Sequence, residues 1–181
     1  MQPVARLRVF VLIATLIAVP GHARAAVDPT SDTLVKAAFL YNFAKFAEWP
    51  ATVRPLTMCI VGDTRVASEL VETVRDKRLG GRVFEVKGIG SDAPMLACDV
   101  LFISASEARR ATAVLVTLRT LPILTVSDSP GFARTIGIIE LVVESERMHF
   151  AINPDAATRA GIRLSSRLLG LARIVRDDHV Y

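Results

Sequence analysis

Leu56-Thr57-Met58-Cys59-Ile60-Val61-Gly62-Asp63 is the stretch on which the fold turns. Its uncharged run, closed by a glycine and an acid, suits a strand buried on both faces rather than one with a wet side. Such a strand needs helices above and below it. The residues that follow supply them. Val66 to Lys77 has the apolar spacing of an amphipathic helix and is closed by Gly80-Gly81, after which Arg82 to Val86 alternates as a second strand. Asp99 to Ser104 reads as a third strand, Glu107 to Leu118 as a helix with Ser106 as its cap, and Pro122 to Val126 as a fourth strand. This order predicts an α/β fold with a mainly parallel, covered sheet and right-handed crossovers, Rossmann-like in outline.

The pattern changes on either side of that block. After Gly131, Gly137 to Val143 and Arg147 to Ile152 predict an antiparallel hairpin turning at Glu144-Ser145-Glu146. Asn153 to Ala160 predicts a short helix broken by Gly161, and Ser165 to Val175 a last helix. Upstream, Asp32 to Glu48 predicts a helix with Ser31 or Asp32 as its N-cap, stopped at Trp49-Pro50. No repeat, low-complexity stretch or linker divides the chain, so residues 26–181 are expected to form one domain.

The first 25 residues have a different character. Arg6 and Arg8 precede the apolar run Val9 to Val19, Pro20-Gly21 ends it, and Ala23-Arg24-Ala25 offers small residues around a cleavage site. The expectation is a cleaved secretory signal over residues 1–25, not a membrane anchor. The run is about half the roughly 20 residues that span a bilayer. Cleavage removes three arginines and no acid, so the formal charge falls from +4 to about +1. The remaining lysines and arginines are scattered among acids, which excludes an electrostatic footprint for nucleic acid.

Two cysteines, Cys59 and Cys98, remain in a chain expected to enter an oxidising compartment. An even pair there favours a disulfide, with two buried thiols as the alternative. Their spacing fits neither a Cys-x-x-Cys redox motif nor a zinc site. His149 stands without a second histidine or cysteine at metal spacing, so no metal or other cofactor is expected. No Gly-x-Ser-x-Gly elbow, Gly-x-Gly-x-x-Gly or P-loop is present, and no catalytic residue is predicted. The loops at Gly62-Asp63 and Ser127-Asp128-Ser129-Pro130-Gly131 lie where α/β folds place ligands, though Gly62 and Asp63 serve equally as a tight turn and a helix cap. What folding alone leaves unexplained is an apolar surplus. Phe39, Tyr41, Phe43, Phe46 and Trp49 crowd one segment, and Leu164, Leu168, Leu169 and Leu171 crowd another. An exposed fraction of it would mark a protein-binding surface or a groove for an apolar ligand.

Two segments together resemble a known family. Val35-Lys36-Ala37-Ala38-Phe39-Leu40-Tyr41-Asn42-Phe43-Ala44-Lys45-Phe46 with Glu48-Trp49-Pro50 is similar to the opening of mature YfiR/HmsC-like periplasmic proteins. Phe150-Ala151-Ile152-Asn153-Pro154-Asp155 through Gly161-Ile162-Arg163-Leu164-Ser165-Ser166-Arg167-Leu168-Leu169 resembles their closing motif, with Ile123 to Asp128 and Gly131-Phe132 in the expected order between them. The resemblance implies a compact α/β domain in the periplasm, often dimeric. It implies that the domain represses a membrane-bound sensor, a diguanylate cyclase, by contacting its periplasmic region, and so lowers cyclic-di-GMP. Cys59 and Cys98 match the family's first cysteine pair. The second pair of its best-known members is missing, so redox control through that pair does not carry over. Carried over by motif, partner binding is expected around Phe43, Phe46 and Trp49, and around Asn153, Arg163, Leu164, Ser165 and Leu169. Arg163 offers a forked donor for a carboxylate, while Asn153 before Pro154 equally reads as a helix cap. The alternative is a periplasmic small-molecule binding protein serving a sensor or transporter.

Overall fold

The computed structural model describes residues 29–50 and 54–178. The expected signal segment and its cleavage site lie outside them. The first helix, α1 (Pro29–Phe46), leads into a two-residue strand, β1 (Ala47–Glu48). Then come β2 (Leu56–Val61), α2 (Thr64–Val74), β3 (Arg78–Leu79), β4 (Arg82–Ile89), β5 (Val100–Ile103), α3 (Ala108–Leu118) and β6 (Leu124–Ser127). The remainder is α4 (Phe132–Thr135), β7 (Ile139–Glu144), β8 (Arg147–Ile152), α5 (Pro154–Arg159), β9 (Arg163–Leu164), α6 (Ser166–Leu169) and β10 (Arg173–Ile174).

Eight strands form one sheet in the order β10-β8-β7-β6-β5-β2-β4-β3. From β7 to β4 every neighbour is parallel; β8 runs antiparallel to β7 and β3 antiparallel to β4. The sheet is therefore mainly parallel, as the sequence predicts. β2 lies between β5 and β4 and is buried at all six positions. Its side chains alternate between two cores, as a strand's must. Met58 and Ile60 join Ala37, Leu40 and Phe43 of α1 and Leu70 of α2. Cys59 and Val61 join Leu101, Ile103, and Leu115 and Leu118 of α3.

The connection from β4 to β5 is tied to β2 twice. Cys59 and Cys98 form a disulfide, with Cα atoms 5.8 Å apart. Next to it, Asp99 is 2% exposed and would be costly to bury unpaired. Its carboxylate accepts from the Thr57 N–H (2.8 Å), from both Arg54 Nη atoms (2.9 and 2.8 Å) and from Arg82 Nη2 (2.7 Å). Nothing in the sequence pattern singled out this cluster.

Several local expectations change. α1 already includes Pro29, which a helix tolerates in its first turn, so neither Ser31 nor Asp32 is its cap. It ends at Phe46 because the next two residues leave to pair with β9. Ser106 does not cap α3; Glu107 sits there without a side-chain cap, and Ser106 Oγ meets Ser104 Oγ at 2.8 Å. The last helix is one turn, Ser166–Leu169, because β10 joins the sheet edge beside β8. Asp63 does cap α2, accepting from Arg65 and Val66 N–H at 3.1 and 3.2 Å.

The aromatic surplus goes mostly into the core. Phe43 is fully buried and its ring meets Phe150 at 5.1 Å and Phe39 at 5.6 Å. Tyr41 lies edge-on to Phe84 at 5.7 Å. α1 is apolar on several sides because it packs against α2, β5, α6 and β1.

Replacing both Cys59 and Cys98 by alanine is expected to lower the unfolding free energy by about 2–4 kcal/mol, from the loop the bond closes. Urea unfolding measures it, and reductant should shift the wild-type midpoint but not that of the double variant. Equal midpoints for the two proteins would contradict a constraining bond.

Candidate functional site

The carboxyl ends of β2, β5 and β6 are closed by their own polar groups. Gly62 has φ +84, and a Cβ there would lie 2.2 Å from Ser104 Oγ and 2.6 Å from Glu107 Cγ. Only glycine fits so close an approach with a positive φ. Ser127 Oγ donates to Ile103 O at 2.6 Å and accepts from Ser129 N–H at 3.0 Å. Asp128 accepts from Ala105 N–H at 2.6 Å and from Lys36 Nζ at 2.7 Å, and Lys36 also meets Asp32 at 2.8 Å. Burial alone would lower the Lys36 pKa, but the hydrogen bonds and charges of Asp128 and Asp32 outweigh it and raise the value above 10.5. A ligand at this edge would have to displace those bonds.

The two motif regions meet elsewhere. β1 and β9 form a separate antiparallel ladder, pairing Ala47 with Leu164 and Glu48 with Arg163. Ser165 N–H extends it by donating to Phe46 O at 2.9 Å. Ser165 Oγ then caps α6 by accepting from Leu168 N–H at 3.2 Å. Phe46, Trp49, Leu164 and Leu169 are half-buried against the α1 core. Charged groups surround them. Arg163 Nη2 is 3.3 Å from Glu48, both largely exposed, and the Arg167 guanidinium lies 5.8 Å from the Phe46 ring centroid. Among the described residues, the enclosed Trp49 Nε1–H meets no acceptor. A shallow groove opens beside the ladder, floored by Ala157, Ile162, Leu164 and Leu169 and edged by Arg163.

A family model described as YfiR/HmsC-like matches residues 33–173. The chain belongs to the YfiR/HmsC-like family. In this YfiR/HmsC-like domain the match runs from α1 to β10, so both halves of the β1–β9 clamp lie inside it.

Six of the eight motif residues converge on the clamp: Phe46, Trp49, Arg163, Leu164, Ser165 and Leu169. The other two are interior. Phe43 belongs to the core under the clamp. Asn153 is fully buried, where its Oδ1 caps α5 by accepting from Ala156 N–H at 3.0 Å. Its Nδ2 donates to Ala133 O at 2.9 Å and to Asp177 at 2.6 Å. Burial leaves neither residue a surface to offer. Glu48 and Arg167 are the clamp residues that reading the motifs missed; no local pattern marks a two-residue strand, and only the co-occurrence of two distant motifs pointed here. Among the described residues, no three His, Cys, Asp or Glu side chains gather as metal ligands, and no helix is long and apolar enough to cross a membrane.

These placements separate interior from surface. Asn153→Ala should lower stability by about 2–4 kcal/mol, since it removes a cap and leaves buried groups unpaired. Arg163→Ala should stay within about 0.5 kcal/mol, as an exposed ion pair contributes little. Chemical denaturation compares them, and equal losses would contradict the assignment. Lys36→Met should cost about 1–3 kcal/mol at neutral pH. Because the folded pKa of Lys36 is raised, its contribution is complete below pH 10.5 and fades as pH climbs through the folded value. Wild-type stability should therefore fall toward that of the variant as pH rises into strong alkali; a stability difference unchanged there would contradict this.

Proposed function

We propose that this YfiR/HmsC-like domain is a periplasmic regulator that binds the periplasmic region of an inner-membrane sensor, a diguanylate cyclase, and holds it inactive. On this reading residues 1–25 are removed on export and the domain works without chemistry of its own. The observation that carries the proposal is the clamp. It gathers half-buried aromatic and leucine side chains inside a rim of arginine and glutamate, the composition that concentrates binding energy at protein interfaces. The residues come from both family motifs, which lie more than a hundred positions apart in the chain.

The mechanism is a population shift: the clamp binds the inactive arrangement of the sensor more tightly than the active one, and the equilibrium moves by that difference. Trp49 supplies a means of coupling. An enclosed donor without an acceptor costs about 1–3 kcal/mol, and a bound arrangement that turns the indole toward a partner carbonyl relieves that cost. The disulfide keeps the supporting sheet rigid in an oxidising compartment.

Deleting the gene should raise cellular cyclic-di-GMP, and the wild-type gene should restore it. Trp49→Ala and Arg163→Glu, exported at normal levels, should fail to restore it. An unchanged cyclic-di-GMP level on deletion, with no membrane protein copurifying with the wild-type domain, would overturn the proposal.

A further inference from the structure

The sheet edge formed by β4 is covered for a quarter of its length. β3 pairs with its first two residues, Leu79 with Arg82 and Arg78 with Val83, through a turn in which Gly80 and Gly81 have φ of 57 and 83. From Phe84 to Ile89, β4 pairs with β2 on its inner side. On its outer side, among the described residues, these positions pair with no strand. Alternate N–H and C=O groups therefore face outward, and such an edge is a template for another strand. Edges are usually guarded by proline, bulges, inward charges or charged side chains along the strand, lysine especially. Here Glu85 and Lys87 lie on the sheet face away from α2 and pair with each other at 3.2 Å, and Gly88 has open space where a side chain would be.

A groove runs beside this edge, between β4 and α2. Val71, Val74, Phe84 and Val86 line it, and Val71 is 45% exposed. Arg75, Asp76, Lys77 and Arg78 also line it. They are held in place: Arg75 pairs with Glu72, and the Lys77 ammonium lies 4.6 Å from the Tyr41 ring centroid.

We propose that the outer edge of β4 and its groove against α2 receive an extended acidic segment of a partner protein as an added strand. Backbone pairing along residues 84–89 supplies the affinity, alternate apolar side chains of the incoming strand settle on Val71, Phe84 and Val86, and its carboxylates meet Arg75, Lys77 and Arg78. This surface is separate from the clamp and does not require the partner to be a cyclase.

The probe is a fluorescein-labelled heptapeptide alternating glutamate and valine, titrated against the whole domain by fluorescence anisotropy. Saturable binding is expected, with amide shift changes concentrated at residues 84–89. Affinity should fall at least about tenfold for the same peptide with lysine in place of glutamate, for alternate N-methylated amides, and for Val71→Glu. Arg78→Glu should weaken the acidic peptide and strengthen the basic one, with thermal melting confirming that both variants fold. No saturable binding, binding indifferent to N-methylation, or shifts centred on the clamp would overturn the proposal. So would sedimentation showing the edge occupied by a second copy of this chain. The cyclic-di-GMP assay reads the clamp independently, so either result can fail alone.

Discussion

A strand with no wet face is the constraint from which the rest of the molecule follows. β2 is buried at every position, so its backbone groups must all be paired and its side chains must all find apolar neighbours. Parallel strands on both sides meet the first demand, and α1 with α2 on one face and α3 on the other meet the second. The register of β4 and β5 against β2 is reinforced at the amino ends by the disulfide and by the Asp99 carboxylate between two arginines. A slip of one residue would turn Cys59 into the wrong core and leave Asp99 buried without partners.

That central sheet fixes where α1 lies, and α1 fixes the clamp. Its core face, with Phe43 against Phe150, sets the helix so that its last turn reaches the C-terminal segment. The ladder of Ala47 and Glu48 with Leu164 and Arg163 is small, but it starts from a helix end already held by the core. The clamp is therefore a feature of the whole fold and not of either motif alone. The closed carboxyl edge of the sheet sharpens the contrast: Lys36 pairs with Asp128, Ser104 with Ser106, and Ser127 with backbone groups there, while the clamp has half-buried rings and exposed charges.

The long elements were legible because they have strong periodicity. Leu56–Val61 reads as a doubly buried strand from its apolar run, and Val66 to Lys77 reads as a one-sided helix that the structure places at Thr64–Val74. The short ones were not. β1, β9 and β10 have two residues each, too few for any period, and they exist because tertiary neighbours offer an edge. Leu164, Leu168 and Leu171 have helical spacing, yet the helix is confined to Ser166–Leu169 because Arg173 and Ile174 pair beside β8. Motif likeness located the clamp residues but did not separate its surface from its support: Phe43 and Asn153 sit in the same motifs as Phe46 and Arg163. Burial made that distinction. The Asp99 cluster left no trace in the sequence because its arginines lie far apart, one before β2 and one opening β4.

The central claim is that the β1–β9 clamp, and not the helical face around α3, is the surface the domain presents to a membrane partner. Site-specific photo-crosslinking in the producing cells reads it most directly, with a photo-reactive side chain placed at position 163 or, on the exposed side of α3, at position 116. A discrete adduct with one membrane protein from position 163 and none from position 116 is the expected result. An adduct from position 116 with none from position 163 would contradict it.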